Sequence, residues 1–238
     1  MRLNRDGFTL VEVMIVIAII AVIAAIAIPS ILASQRSSNE RNTAASLKTL
    51  ASAEADFREN DRDWNKVNDF WTANVAGLYT MTSAATAGAK AGEEIKLIEL
   101  SMAAADTDPA FPAAAGENLA LSNFVIGSTA KAGYWYMALL TDSTLTSAEA
   151  TYKQDTGGTP DMGSVHNLDK FGFLAYPDAQ AAGKNVFIVN ESNTIFRSAT
   201  SGAVKPKGVA LPPGILTQTE YLSWPDANTM KLRWSKLD

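Results

Sequence analysis

The run from Phe8 to Ile28, FTLVEVMIVIAIIAVIAAIAI, holds only two polar side chains, Thr9 and Glu12. At about 1.5 Å per residue, a helix of this length covers roughly 31 Å, the thickness of bilayer hydrocarbon. The segment must either cross a membrane or be covered by other protein. The residues ahead of it, MRLNRDG, set Arg2 and Arg5 against Asp6. Positive flanks stay cytoplasmic, which predicts an N-in span with everything after Pro29 outside.

Glu12 is the anomaly. A carboxylate near the centre of a membrane helix costs roughly 2.5–3.5 kcal/mol, and nearer the end it still calls for a partner. A secretory signal peptide cut after Ala25-Ile26-Ala27 would have a shorter apolar region, about 7–15 residues, without an internal acid. A plain single-span anchor leaves Glu12 unexplained. Snorkelling to the interface would give it water but no role.

The stretch GFTLVEVMIVIAIIAVIAAIAIP resembles the N-terminus of type IV prepilins and of type II secretion pseudopilins, through Gly7, Phe8, Thr9, Leu10, Glu12 and Pro29. The resemblance covers residues 1–30. It implies that a prepilin peptidase cuts between Gly7 and Phe8 on the cytoplasmic side, that the new amino group of Phe8 is N-methylated, and that the apolar helix is kept. It further implies that Glu12 meets the N-terminal ammonium of a neighbouring subunit when the chain assembles, at an inner-membrane platform, into a helical homo-oligomer. In a water-poor filament core both charges lose hydration, and only mutual contact offsets that loss, so the pair acts as a register device. Thr9 and Pro29 are the other residues tied to assembly. Pro29 cannot donate to the Ala25 carbonyl, which predicts a kink or local opening. The resemblance implies that the segment before it partly unwinds in the filament.

This divides the chain into a leader (1–7), the membrane and filament-core half of a long helix (8–28), the second half of that helix (29–58), and a head (59–238). Ala44, Leu47, Leu50 and Phe57 fall on one helical face, with Ala51 and Ala55 beside it. The polar patch Ser34–Thr43 has little to bury within one subunit. In the head, Ala73–Gly116 reads as a long connection with a small helix or strand around Ile95–Leu100. AGYWYMALL (Ala132–Leu140) and FGFLAYP (Phe171–Pro177) read as strands, and NVFIVNESNTIFRS reads as a hairpin with strands Asn185–Val189 and Thr194–Arg197. A last strand is expected within Met230–Leu237. The predicted fold is α+β and type IV pilin-like: a long helix packed on one face of an antiparallel sheet of about four strands. The five tryptophans are expected in packing rather than as binding platforms.

The segment ENDRDWNKVNDFW carries the most suggestive chemistry. Asp61, Asp63, Asn65 and Asp69 stand at loop positions 1, 3, 5 and 9, with the carbonyl of Val67 at 7, a spacing that suits one hard cation such as calcium. Lys66 stands where such loops prefer Gly, and Thr72 replaces the bidentate acid at position 12. The other reading is a solvated acidic turn. No cofactor is required, and structural calcium is the ion this loop would take.

Composition excludes several classes. The chain carries 20 basic and 25 acidic residues, and removing the leader leaves 18 and 24, a net of −6, so no nucleic-acid surface is predicted. With no cysteine there is neither a disulfide nor a thiolate metal site, a departure from the many type IV pilins that close their C-terminal region with a disulfide. The single histidine, His166, has no second His or Cys to share a metal, and no nucleophile elbow or phosphate loop is present, so no enzymatic activity is expected. The predicted function is a structural filament subunit, held in the inner membrane before assembly and then in a surface pilus. A periplasmic secretion pseudopilus and a minor tip subunit that binds surfaces or DNA remain alternatives.

Overall fold

The computed structural model describes residues 8–81, 94–106, 129–145, 148–157, 165–179, 181–200 and 223–237. The leader, including Gly7, and the parts 82–93 and 107–116 of the predicted connection Ala73–Gly116 lie outside these residues.

Helix α1 runs from Leu10 to Glu59 as one element. It stays helical through Pro29, so the opening predicted there is not a break in this subunit. Its two halves meet different surroundings. The large apolar side chains from Phe8 to Leu32 are exposed. From Thr43 onward one face is buried, including Ala44, Leu47, Leu50, Ala51 and Phe57. Ala55, predicted beside that face, is exposed. Glu54 is buried in its stead, because it continues the stripe of Leu47 and Leu50 at seven- and four-residue spacing.

The head follows in chain order: β1 (Phe70–Trp71), α2 (Gly77–Thr80), α3 (Leu100–Ala103), β2 (Tyr134–Ala138), β3 (Thr141–Asp142), β4 (His166–Asn167), β5 (Gly172–Pro177), β6 (Asn185–Asn190), β7 (Ile195–Ala199), β8 (Ser223–Trp224), α4 (Ala227–Arg233) and β9 (Ser235–Lys236). Among the described residues the main sheet is antiparallel with five strands in the order β2-β5-β6-β7-β9, where about four are predicted. Strand β1 pairs antiparallel with β4, placing Trp71 opposite His166. Strand β3 pairs parallel with β8.

The hairpin β6–β7 turns through Asn193, whose φ of +53° is tolerated better by asparagine than by most residues. The last strand predicted within Met230–Leu237 is present as the short β9. Ahead of it Asp226 caps α4, its Oδ1 accepting the amides of Asn228 at 2.9 Å and Thr229 at 3.1 Å, and this helix leaves only Ser235–Lys236 to the strand. Around Ile95 the chain runs back against α2, the Ile95 amide donating to the Met81 carbonyl and the Leu97 amide to the Leu78 carbonyl, both at 2.9 Å, before α3 begins at Leu100.

The sheet packs one face on α1, as predicted, and its other face is covered as well. Tyr134, Tyr136, Phe173, Ala175, Phe187, Val189 and Ile195 pack with Leu47, Leu50 and Phe57 of α1. The alternate residues Trp135, Leu174, Tyr176, Val186 and Ile188 meet Leu139, Tyr152 and Trp224, with Met230 and Trp234 against them. The continuous apolar runs YWYMA and GFLAYP reflect this double burial, which an alternating pattern would not. The patch Ser34–Thr43, predicted to bury little, docks part of its length on the turn before β6. Glu40 accepts the Lys184 amide and Asn185 Nδ2, both at 2.9 Å, and Asn39 Nδ2 donates to the Ala182 carbonyl at 3.0 Å. The fold is a long helix packed on an antiparallel sheet, α+β and pilin-like.

Candidate functional site

Two regions carry chemistry. The first is the tip of α1. Thr9 is its N-cap, with Oγ1 accepting the Glu12 amide at 3.3 Å, while Glu12 Oε2 accepts the Thr9 amide and the Thr9 hydroxyl, both at 2.8 Å. This is a capping box: two N–H groups that the first helical turn cannot satisfy are met reciprocally. Sequence reasoning looked for the partner of Glu12 on another subunit and missed the one three residues away. The signal was present as Thr9-x-x-Glu12 ahead of an apolar run. Phe8, just before the cap, is 88 % exposed, so the residue predicted to become the new N-terminus stands free of the head.

The second region is the acidic loop after α1. Asp61, Trp64 and Lys66 all take positive φ, at 46°, 61° and 68°. Lys66 thus makes the sharp turn at the position where cation loops favour glycine. Asp63, Asn65 and Asp69 are fully buried. The Asp61 carboxylate lies beside that of Asp63, and the loop's own amides turn in to these side chains. The Asp61 carboxylate accepts the Lys66 amide at 3.1 Å, Asn65 Oδ1 accepts the Val67 amide at 2.7 Å, and the Val67 carbonyl accepts the Asp69 amide at 3.1 Å. These hydrogen bonds close the loop. Thr72, at the twelfth position, donates its hydroxyl to the Val165 carbonyl at 2.7 Å and ties the loop to the strand carrying His166.

Asp63 and Asp69 do come together, and the third member is His166. One donor atom from each lies within 4.8 Å of the others. His166 Nε2 is 2.9 Å from Asp63 Oδ2, yet the pair lacks hydrogen-bond geometry, and both atoms are unpartnered among the described residues. Asp69 Oδ1 and His166 Nδ1 are likewise buried without a partner. The opposite edges are occupied: Asp63 Oδ1 faces the Asn65 amide at 3.4 Å, and Asp69 Oδ2 accepts from the Thr156 hydroxyl at 2.5 Å and Asn65 Nδ2 at 3.3 Å.

Aromatic rings wall the cluster. The Trp71 ring meets the His166 ring edge-on at 5.5 Å, and Phe57 stacks against His166 at 6.3 Å. Trp71 is seated by Gly77, where an added Cβ would fall 2.3 Å from the indole nitrogen. Behind it, Glu54 Oε2 accepts the Trp71 amide at 3.0 Å, and burial, together with the nearby Asp69, holds this carboxyl well above the ordinary glutamate range despite that bond. Burial also raises Asp69, opposed by His166 and the Thr156 hydroxyl. Sequence reasoning set His166 aside because it lacked a second His or Cys. Only the pairing of β1 with β4 carries it to the acidic loop.

Residues 2–28 match the family model of the prokaryotic N-terminal methylation motif, the prepilin-type cleavage and methylation segment of type IV pilins and pseudopilins. That family is structural rather than enzymatic. No curated protein and no solved structure matches the chain. The motif, with the exposed apolar helix that carries it, supports a subunit of type IV pilin or pseudopilin type. It implies processing by prepilin peptidase and fits a membrane-anchored precursor.

Proposed function

We propose that this chain is a polymerising subunit of a type IV pilus-like filament. In this reading prepilin peptidase cuts between Gly7 and Phe8, Phe8 is N-methylated, and the apolar half of α1 leaves the bilayer to become the filament core. One observation carries the reading: from Phe8 to Leu32 the helix presents its apolar side chains to the surroundings on every side, while its second half is welded to the head. A helix apolar all round needs lipid or copies of itself. In a precursor the first applies, and in a filament the second.

Mass spectrometry of the mature protein tests it. The expected N-terminus is methylated Phe8, and Gly7→Arg should leave the full-length form in the membrane. A product beginning at Ile28 would instead mean secretory cleavage. Shearing filaments from cells and finding this chain as their main component separates a surface pilus from a periplasmic pseudopilus or a minor tip subunit.

A further inference from the structure

We infer that Asp63, Asp69 and His166 form a structural site for a divalent metal ion that takes mixed nitrogen and oxygen donors, zinc foremost. The inference is independent of the filament reading, since the site lies in the head and touches no part of the apolar half of α1.

Charge comes first. Asp63 and Asp69 are fully buried, and the His166 ring beside them is flanked by Phe57 and Trp71. Among the described residues no lysine or arginine pairs with either. A buried carboxylate without a counter-charge is costly, and such groups are found paired or bound to metal. One imidazolium would neutralise one of the two acids. A divalent cation neutralises both and leaves the imidazole neutral, the form in which histidine ligates metal.

The orphaned atoms come second. Among the described residues, Asp63 Oδ2, Asp69 Oδ1 and both nitrogens of His166 are buried without a hydrogen-bond partner. A simple Asp63–His166 hydrogen bond would leave none of this pattern at that contact, yet the atoms at 2.9 Å are misaligned for one. The other oxygen of each aspartate is held, Asp63 Oδ1 by the Asn65 amide and Asp69 Oδ2 by Thr156 and Asn65. This is the pattern of ligands oriented by an outer layer of hydrogen bonds.

Geometry and donor type come third. The three donors lie within 4.8 Å of one another. Around zinc at about 2.0–2.2 Å, tetrahedral donors stand roughly 3.4 Å apart, so side-chain rotations on the order of an ångström seat the ion. Calcium favours six to eight oxygens, whereas an imidazole beside two carboxylates suits zinc and its first-row neighbours.

The test uses the full chain in detergent micelles, stripped with a chelator and dialysed. Adding zinc should raise the melting temperature by at least about 5 °C and titrate to one ion per chain, and calcium should do neither. Cobalt should give the visible bands of a low-coordinate nitrogen–oxygen site. His166→Gln, close in shape, should weaken zinc binding by more than about a hundredfold, and Thr156→Val by about tenfold to a hundredfold. If His166→Gln does not fold, the wild-type titration and cobalt spectrum decide alone. No response to zinc, cobalt or manganese overturns the inference, as does a stronger response to calcium or a cobalt spectrum of a six-coordinate aquo ion.

Discussion

Glu12 has two claims on it, and substitution separates them. Within the subunit its Oε2 accepts two hydrogen bonds from Thr9 at 2.8 Å and so caps the helix end. In the filament reading its charge also meets a neighbour's N-terminal ammonium. Removing one partner of a pair shielded from water strands the other at about 3–5 kcal/mol, or more than about a hundredfold in the equilibrium for adding a subunit. Glu12→Ala removes both contributions. Glu12→Gln keeps an oxygen to accept from Thr9 but loses the charge. Both variants should be processed normally, and both should yield sheared filaments reduced by more than about a hundredfold by quantitative immunoblot. Their heads should melt as the wild type does, because Glu12 lies about 46 Å along the helix from Thr43, the first buried residue of α1. If Glu12→Gln polymerises at the wild-type level while Glu12→Ala does not, the cap is what matters and the charge-register argument fails.

Two further outcomes concern the head. Leu50 is fully buried between α1 and the sheet, so Leu50→Ala should cost about 2–5 kcal/mol in urea denaturation and lower the melting temperature by roughly 5–15 °C, with processing unchanged. Burial works against ionisation of Asp142, but the Thr144 hydroxyl and amide and the Lys170 ammonium at 3.1 Å outweigh it and hold its pKa below the ordinary value. Its stabilising contribution is therefore present above about pH 4 and is lost as pH falls through the depressed folded value. Asp142→Asn should flatten the acid side of the stability profile measured by denaturation between neutral and acidic pH, and an unchanged acid limb would contradict this.

Much of the architecture was legible because it follows from local pattern. The apolar span, the helix continuing to the end of the Leu47–Phe57 face, and the strands around Tyr134, Phe173 and the Asn190–Asn193 turn all follow from periodicity and turn chemistry. The departures share one cause. Ala55 and Glu54 exchanged places, the polar patch near Glu40 found acceptors and donors on the turn before β6, and the second face of the sheet acquired its own core. Each depends on which distant segment arrives, and a one-dimensional pattern does not state that. Within Met230–Leu237 the expected strand is present but confined to Ser235–Lys236, because Asp226 caps a helix that runs to Arg233.

What the sequence alone determined is therefore the part of this protein whose environment is not its own chain. An apolar helix with Thr9 and Glu12 at its tip announces its need for lipid or for other subunits in the order of its residues, since no tertiary contact within the subunit alters it. The buried cluster is the reverse. Asp63 and Asp69 sit in one loop, but His166 is far away in sequence, and only the antiparallel pairing of Trp71 with His166 brings the imidazole to them. Its burial, the aromatic walls and the unpartnered donor atoms arise from that pairing, because desolvation and convergence are properties of packing.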